Sequence, residues 1–456
     1  MRHKIITLIY CACAMLLVSC ENFLDEKSDK KLAVPNKLKD FQALLDDYPN
    51  VGSGANEGEI SADDYYLQNS DVNALIKSDK GMYLWDGDIP HIDRLSSGWT
   101  NGFREVYYSN LVLDGLEGYK PDDHEKSEFD NIKGQAFFIR GVAYFNMALV
   151  WSPAYNIGMA TNKWGLPLRT SSDFNIPVTR AELGRTFEFI KENLEQAAML
   201  LPIHSQSKYR PSRAAAFAYL ARLSLYIGDF DTALGYAEDC LAIYDKLIDY
   251  NTLDIKKNYP MPAVAANDEV IYYRAFTPQG KFSATGMRIV ESIYDSYEDN
   301  DLRKTMFFKE NVGYRTFRGN YSGSSSLFCG AAVDEMYLIR SECYARDNQL
   351  GNALSVLNKL LESRWKKVNG ESLYEPIEPR SKDEVVQLVL SERRKQLLVR
   401  TLRWYDVKRL NALGANISLT RNFNGKTYVL PPNDPRYALP IPINVIEISK
   451  IEQNPN

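Results

Sequence analysis

Apolar residues recur at helical spacing along most of this chain, and the helical segments come in pairs. Residues 212–227 and 232–244 carry apolar positions three and four residues apart, separated by the tight turn Gly228-Asp229-Phe230. Such spacing gives each segment one buried face. The two segments therefore predict a helix-turn-helix.

The same pattern predicts three more helix pairs, over residues 131–201, 334–362 and 381–410. Small residues stand where paired helices have to approach closely, at Ala221, Ala233, Ala237, Ala345 and Ala353. The period is that of tetratricopeptide-like repeats; the alternative is a helical bundle without a true repeat. We predict a mainly α-helical fold with about four tetratricopeptide-like helix pairs and long, loop-rich, partly β insertions.

The insertions lose most of the helical period and carry many aromatic residues. They cover residues 52–102, 152–178 and 251–332, and a short strand is predicted at 427–430. Their frequent Gly, Pro, Asn and Asp residues favour structured loops.

Two helix starts carry the sequence of a capping box. Thr179 stands three residues before Glu182, and Ser381 stands three residues before Glu384. In this motif each side chain binds the backbone amide of the other residue. We therefore predict that helices begin at both places.

The first twenty residues have a different pattern. Arg2 and Lys4 precede an apolar run over 5–18, which is shorter than the roughly 20 residues of a membrane-spanning helix. The ending Leu17-Val18-Ser19-Cys20 favours a lipoprotein signal peptide over residues 1–19, with an ordinary secretory peptide as the alternative. Cleavage would leave Cys20 with acyl chains on its sulfur and amine, and two or more chains anchor a protein stably. We predict lipidation at Cys20 and membrane attachment outside the cytoplasm.

Composition and charge narrow the classes of ligand. The formal net charge of −5, without a basic block, argues against a nucleic-acid partner. Cys240, Cys329 and Cys343 remain beyond the signal, and neither they nor the four histidines have metal-site spacing. Cys240 and Cys343 are predicted to be buried thiols, with a disulfide as the alternative. We predict no metal, no cofactor and no catalytic residue.

Several motifs follow one another along the chain in a set order. They are Phe23-Leu24-Asp25 after Cys20, Gly134-Gln135-Ala136-Phe137, Trp164-Gly165-Leu166-Pro167-Leu168, Glu392-Arg393-Arg394, Arg403-Trp404-Tyr405-Asp406 and Leu439-Pro440-Ile441-Pro442. In this order they resemble the SusD/RagB family, surface lipoproteins of Bacteroidetes, over essentially the whole chain. A departure is Arg400-Thr401, where the family usually has Glu-Gly.

The resemblance implies a binding protein rather than an enzyme. It implies an outer-membrane lipoprotein facing the cell exterior, which captures a nutrient oligomer, usually a glycan, as a lid over a SusC-like TonB-dependent channel. It also implies an N-terminal region over 20–250 and a C-terminal region over 251–456, both with helix-pair repeats. The alternatives are an oligopeptide binder in the same kind of importer, a tetratricopeptide scaffold for outer-membrane assembly and a lipid-anchored hydrolase.

Charged residues of the last motifs could suggest a catalytic cluster. Glu392, Arg393, Arg394, Arg403 and Asp406 lie on two successive predicted helices. We predict instead that they form ion pairs joining the last repeat to the tail, with Glu392 and Arg403 partly buried.

Aromatic loop residues are the candidates for ligand contact, because a flat ring can cover the C–H face of a sugar while nearby polar groups take its hydroxyls. We predict that residues 65–99 and 314–321 meet in space to form a shallow, solvated aromatic platform. If Trp85 and Trp99 instead pack as core, the loop 152–178 around Tyr155 and Trp164 is the next candidate. The predicted contact residues are Trp85, Asp86, Trp99, Trp164, Tyr314, Phe317, Arg318, Asn320 and Tyr321.

Overall fold

The computed structural model describes residues 35–86, 97–276, 280–378 and 380–455. Cys20 and the apolar run before it lie outside these residues, so lipidation stays a prediction. Within the described ranges, no helix combines the length and the hydropathy needed to cross a bilayer.

Helices make up most of the regular structure, as the apolar pattern predicts. They are α1 (Leu38–Leu45), α2 (Tyr48–Val51), α3 (Glu57–Ser61), α4 (Asn69–Asn73), α5 (Lys77–Leu84), α6 (Ser97–Glu117), α7 (Lys126–Trp151), α8 (Leu183–Leu200), α9 (Arg213–Ile227), α10 (Phe230–Ile243), α11 (Glu291–Tyr294), α12 (Arg303–Met306), α13 (Val333–Arg346), α14 (Leu350–Glu362), α15 (Lys382–Gln396), α16 (Arg403–Ala412) and α17 (Ile443–Ser449).

The strands are short, and most lie in the predicted insertions. They are β1 (Tyr65–Tyr66), β2 (Val270–Tyr272), β3 (Ala275–Phe276), β4 (Arg288–Ile289), β5 (Phe308–Asn311), β6 (Tyr314–Phe317), β7 (Leu327–Phe328), β8 (Ala331–Ala332), β9 (Lys367–Val368), β10 (Glu371–Ser372), β11 (Leu419–Phe423) and β12 (Lys426–Leu430).

Successive helices pack as the repeat pattern predicts. Helix α7 packs against α8, α9 against α10 and α13 against α14, while α10 also packs on α13. The alanines predicted at close approaches, from Ala221 to Ala353, are all fully buried. Gly228 closes α9 with a φ of 82°, a left-handed conformation that glycine adopts without a Cβ clash. The mainly α, tetratricopeptide-like fold is thus confirmed.

The fourth predicted pair has a different arrangement. Helices α15 and α16 both form, but α16 packs chiefly against α3 and α9 rather than along α15. Helix α3 belongs to the segment 52–102, which was predicted as loop and contains three short helices and a strand. The C-terminal end of the repeat array is therefore built around an N-terminal segment.

One of the two predicted capping boxes is present. Ser381 and Glu384 form the reciprocal box at the start of α15. At α8 the cap residue is Glu182, without a side-chain bond, and the Thr179–Glu182 box is wrong. The chain around Arg180 is extended there because it forms an antiparallel bridge with Pro167. Tertiary pairing of the loop therefore replaces the local motif.

The three described cysteines are buried free thiols. This confirms the prediction for Cys240 and Cys343 and removes the disulfide alternative. Burial raises the pKa of both thiols, because a thiolate is poorly solvated inside the protein.

Candidate functional site

A small antiparallel sheet brings together the two regions predicted to form the platform. Its strand order is β1-β4-β6-β5, so Tyr65–Tyr66 and Tyr314–Phe317 lie on either side of the central strand β4. Because alternate side chains of a strand point to opposite faces, each strand contributes to both faces of the sheet. The predicted meeting of the two regions in space is confirmed.

The inner face of this sheet holds aromatic residues that belong to the core. Tyr65, Phe308 and Phe317 are buried there, and the Phe317 ring lies 5.8 Å from that of Phe307. Since Phe317 is in register with Phe308 and not exposed to solvent, its assignment to a solvated platform is wrong.

Trp85 and Trp99 also belong to the core, with 3% and 4% of their surface exposed. The Trp85 indole N–H donates to the Ser61 carbonyl at 2.9 Å, and the Arg421 guanidinium lies 4.8 Å from its ring centre. Trp99 packs edge-on against Trp151 at 5.3 Å. Their prediction as platform rings is wrong, and the alternative of core packing is confirmed.

Tyr321 lies at the centre of a buried polar network rather than on a surface. Its hydroxyl oxygen is 2.6 Å from Glu269 and 2.8 Å from Asp334. The guanidinium of Arg400 covers its ring at 3.7 Å, and burial raises its pKa well above the usual value. With 1% exposure, Tyr321 stabilises the fold, and its assignment to the platform is wrong.

The two neighbouring polar candidates do not contribute to an exposed surface either. Arg318 donates to the carbonyls of Ile255, Lys257 and Thr305, so its guanidinium ties loop backbone together. Asn320 is buried, and its amide has no hydrogen-bond partner among the described residues. Among the predicted residues only Asp86 is exposed, while Tyr314, Arg318 and Trp164 are half-buried.

The outer face of the same sheet does present aromatic and cationic groups to solvent. Tyr66 is 39% exposed and stands directly opposite Arg288 on the neighbouring strand. The Arg288 guanidinium lies 3.9 Å from the centre of the half-buried Tyr314 ring. We call Tyr66, Arg288 and Tyr314 the outer sheet face.

Sequence reasoning missed Tyr66 and Arg288 as members of this surface. The alternation of Tyr65 and Tyr66 in a strand was the available signal, because it sends one ring inward and the next outward. Arg288 could not be found, since its position depends on the pairing of β4 with both β1 and β6.

The loop 152–178 divides into a packed part and an accessible part. Tyr155 packs edge-on against Phe187, with ring centres 5.2 Å apart. Trp164 instead lines a cleft with a volume of about 290 Å³, and the Arg180 guanidinium stacks on its ring at 5.2 Å. This cleft is a second accessible aromatic site.

Comparison with known proteins places this architecture in one family. A family model described as starch-binding and associating with the outer membrane matches residues 22–225, and the SusD family model matches residues 334–456. Together they cover more than two thirds of the chain. The chain belongs to the SusD/RagB family.

Similar proteins and solved structures match this chain at low sequence identity. A curated SusD-like protein of Formosa agariphila is 20% identical over 69% of this chain and 72% of its own length. A SusD superfamily structure from Bacteroides thetaiotaomicron has a TM-score of 0.72 at 19% identity, covering 92% of this chain and 100% of the other. A surface glycan-binding protein A from Bacteroides fluxus has a TM-score of 0.70 at 16% identity, with coverage of 92% and 100%.

The charged motif characteristic of the SusD/RagB resemblance forms buried ion pairs. Arg393 pairs with Asp406 at 2.8 Å across α15 and α16. Glu392 binds Arg303 at 2.6 Å and Lys395 at 2.6 Å. Burial alone would raise the pKa of Glu392, but the charges of Arg303 and Lys395 outweigh it and lower this pKa.

The partners of the motif correct one expectation. Arg403 pairs with Asp63 at 2.7 Å, and Arg394 pairs with Asp64 at 2.8 Å, so the motif holds the N-terminal segment rather than the tail. Burial opposes ionisation of Asp63, but the charge and hydrogen bonds of Arg403 lower its pKa to about 2. Glu392 is buried and Arg403 is half-buried, and both are paired as predicted, but with residues other than each other.

Proposed function

We propose that this protein is a cell-surface lipoprotein that binds a nutrient glycan and delivers it to a SusC-like TonB-dependent channel of the outer membrane. Family membership supports the general role, because relatives are named for glycan binding and one family model is described by association with the outer membrane. The lipidation predicted at Cys20 would supply the anchor.

The observation that carries the proposal is the outer sheet face. The rings of Tyr66 and Tyr314 can each cover the C–H face of a sugar. The Arg288 guanidinium makes no ion pair with a described residue and can donate to sugar hydroxyls from between them. Because these groups lie on paired strands, their spacing is set by the sheet and needs little ordering on binding.

Calorimetry with maltohexaose and other neutral hexasaccharides tests the binding surface. Stacking on an aromatic ring contributes about 1–3 kcal/mol where it has been measured for other ligands. Tyr66→Ala and Tyr314→Ala should therefore each weaken binding at least fivefold without loss of stability. Tyr107→Ala is a matched control, because Tyr107 is similarly exposed, at 42%, on helix α6.

An equal loss of affinity in Tyr107→Ala, or none in the two sheet variants, would contradict the proposed surface. The anchor is tested separately by metabolic labelling with a palmitate analogue. Cys20→Ala should abolish the label, and undiminished labelling would contradict lipidation at Cys20. Co-purification with an outer-membrane channel, lost on deletion of the channel gene, tests the proposed partnership.

A further inference from the structure

The Trp164 cleft is formed by four parts of the chain. The loop 153–164, helix α16, the segment from Asn433 to Ala438 and Pro455 supply its walls. Its volume of about 290 Å³ is close to the lower limit of roughly 300 Å³ for small-molecule sites. It can therefore enclose a small ring but not a long chain.

The indole of Trp164 is fixed before any ligand binds. Arg180 donates to the carbonyls of Trp164 and Gly165, both at 2.8 Å, while its guanidinium stacks on the indole. The Trp164 backbone N–H donates to the Asn162 side chain at 2.9 Å. A ring held in this way loses little conformational entropy when a ligand stacks on it.

The polar groups of the cleft are mainly amides with unused donors. Asn156 and Asn162 each accept a backbone N–H with the side-chain oxygen, which leaves their NH₂ groups available. Asn433 is exposed at the rim. The buried Tyr437 hydroxyl has no hydrogen bond of good geometry to a described residue. The nearby Asn411 amide binds the backbone of Ile417 at both ends.

Both charged residues of the described lining are already engaged. Lys408 donates to the carbonyls of Leu149 and Ser152, at 2.8 and 2.7 Å. Asp434 pairs with Arg436 at 2.7 Å. A cationic ligand would therefore find no free carboxylate in the cleft, which is unfavourable. Burial lowers the pKa of Lys408 to about 7, so above this pH an anionic ligand would meet a mostly uncharged amine.

We propose that the Trp164 cleft is a second binding site, which takes one neutral sugar ring. A sugar ring offers an apolar face to Trp164 and hydroxyls to the amide donors, whereas an acyl chain would leave those amides unsatisfied. The proposal rests on the proposed glycan-binding function for the class of ligand. The Trp164 cleft differs from the outer sheet face in its position and in binding only one uncharged sugar ring.

The tryptophans of the protein provide a direct test. Of the six tryptophans, Trp85, Trp99, Trp151, Trp365 and Trp404 are each at most 5% exposed, while Trp164 is accessible. Quenching of intrinsic fluorescence by acrylamide should therefore report on Trp164. At about pH 8.5, where Lys408 is mostly uncharged, we expect maltose, cellobiose, mannobiose or xylobiose at millimolar concentration to reduce the quenching constant at least twofold, and galacturonic acid to leave it unchanged.

Two variants separate this site from the outer sheet face. Tyr314→Ala should keep the protection of Trp164. Asn162→Asp adds an unpaired charge to the cleft and should weaken the affinity of the protecting disaccharide at least tenfold. The cleft proposal is overturned if none of the four disaccharides protects Trp164, or if galacturonic acid protects it equally. Loss of protection in Tyr314→Ala would also overturn it, because the ligand would then be bound at the sheet.

Discussion

Arg303 and Arg185 bind carboxylates in nearly the same way but differ in burial. Arg303 lies 2.7 Å from Asp301 and 2.6 Å from Glu392, with none of its side chain exposed. Arg185 lies 2.9 Å from Glu188 and 2.7 Å from Glu192, with 44% of its side chain exposed. Replacing each arginine by methionine tests whether burial decides the energy of the pair.

The expected losses of stability differ because the stranded carboxylates differ in solvation. Removing one partner of a buried pair costs about 3–5 kcal/mol of stability, because the remaining charge is left buried without a partner or water. Lys395 stays 2.6 Å from Glu392 and 4.0 Å from Asp301, so Arg303→Met should fall toward the lower part of this range. An exposed pair is worth about 0–1 kcal/mol, which is the loss expected for Arg185→Met.

Urea unfolding followed by far-UV circular dichroism gives both values. The midpoint should shift strongly for Arg303→Met and hardly for Arg185→Met, while the slope with urea stays that of the wild type. Adding 0.5 M NaCl should reduce only the small effect of Arg185→Met, because salt screens exposed charges. Equal losses in the two variants would refute the assignment of the buried motif as a structural element.

Three further measurements follow from the same contacts. Trp85→Ala should cost about 3–5 kcal/mol of stability as a buried ring, whereas Trp164→Ala should change the melting temperature little; the reverse order would contradict their assignment. Burial raises the pKa of the Glu59 carboxyl from 4.5 to about 8. The protonated carboxyl therefore favours the folded state fully below about pH 4.5, and this contribution to stability is lost as the pH rises to 8. Glu59→Gln should remove this dependence, gaining on the order of 1 kcal/mol per pH unit over wild type in urea unfolding between pH 5 and 8, and parallel curves would contradict it. Gly228→Ala should lower stability by about 1 kcal/mol because its φ of 82° is strained for alanine, and an unchanged unfolding midpoint would contradict that reason.

The helices were predictable because their signals are local. The apolar period over 212–244 and the box at Ser381 depend on residues within a few positions of one another, and both are confirmed. The box at Thr179 failed because Arg180 binds the loop backbone at Trp164 and Gly165. A local motif was therefore overridden by a contact that the sequence pattern does not contain.

The candidate site was less predictable, because the exposure of each aromatic ring depends on residues that are distant in sequence. Trp85 is covered by Arg421, and Tyr321 is covered by Arg400. Composition and lack of helical period predicted that two segments meet in space, and the strands carrying Tyr66 and Tyr314 do share one sheet. Strand pairing decides which ring of each segment faces solvent. The sequence of these segments does not show how their strands pair.

The pairing of the N-terminal segment with the last helices has a consequence for the order of folding. Asp63 and Arg403 are 340 residues apart, and Arg421 binds the carbonyl of Ile60 across 361 residues. Closing a loop of this length costs about 5 kcal/mol in chain entropy, beyond a length-independent constant. A chain that emerges N-terminus first would therefore leave residues 60–63 without these partners until residues 403–421 have been released. Helix α1 lies nearer the proposed anchor but packs on α6 and α7, so residues 60–63 rather than α1 would be among the last to become rigid.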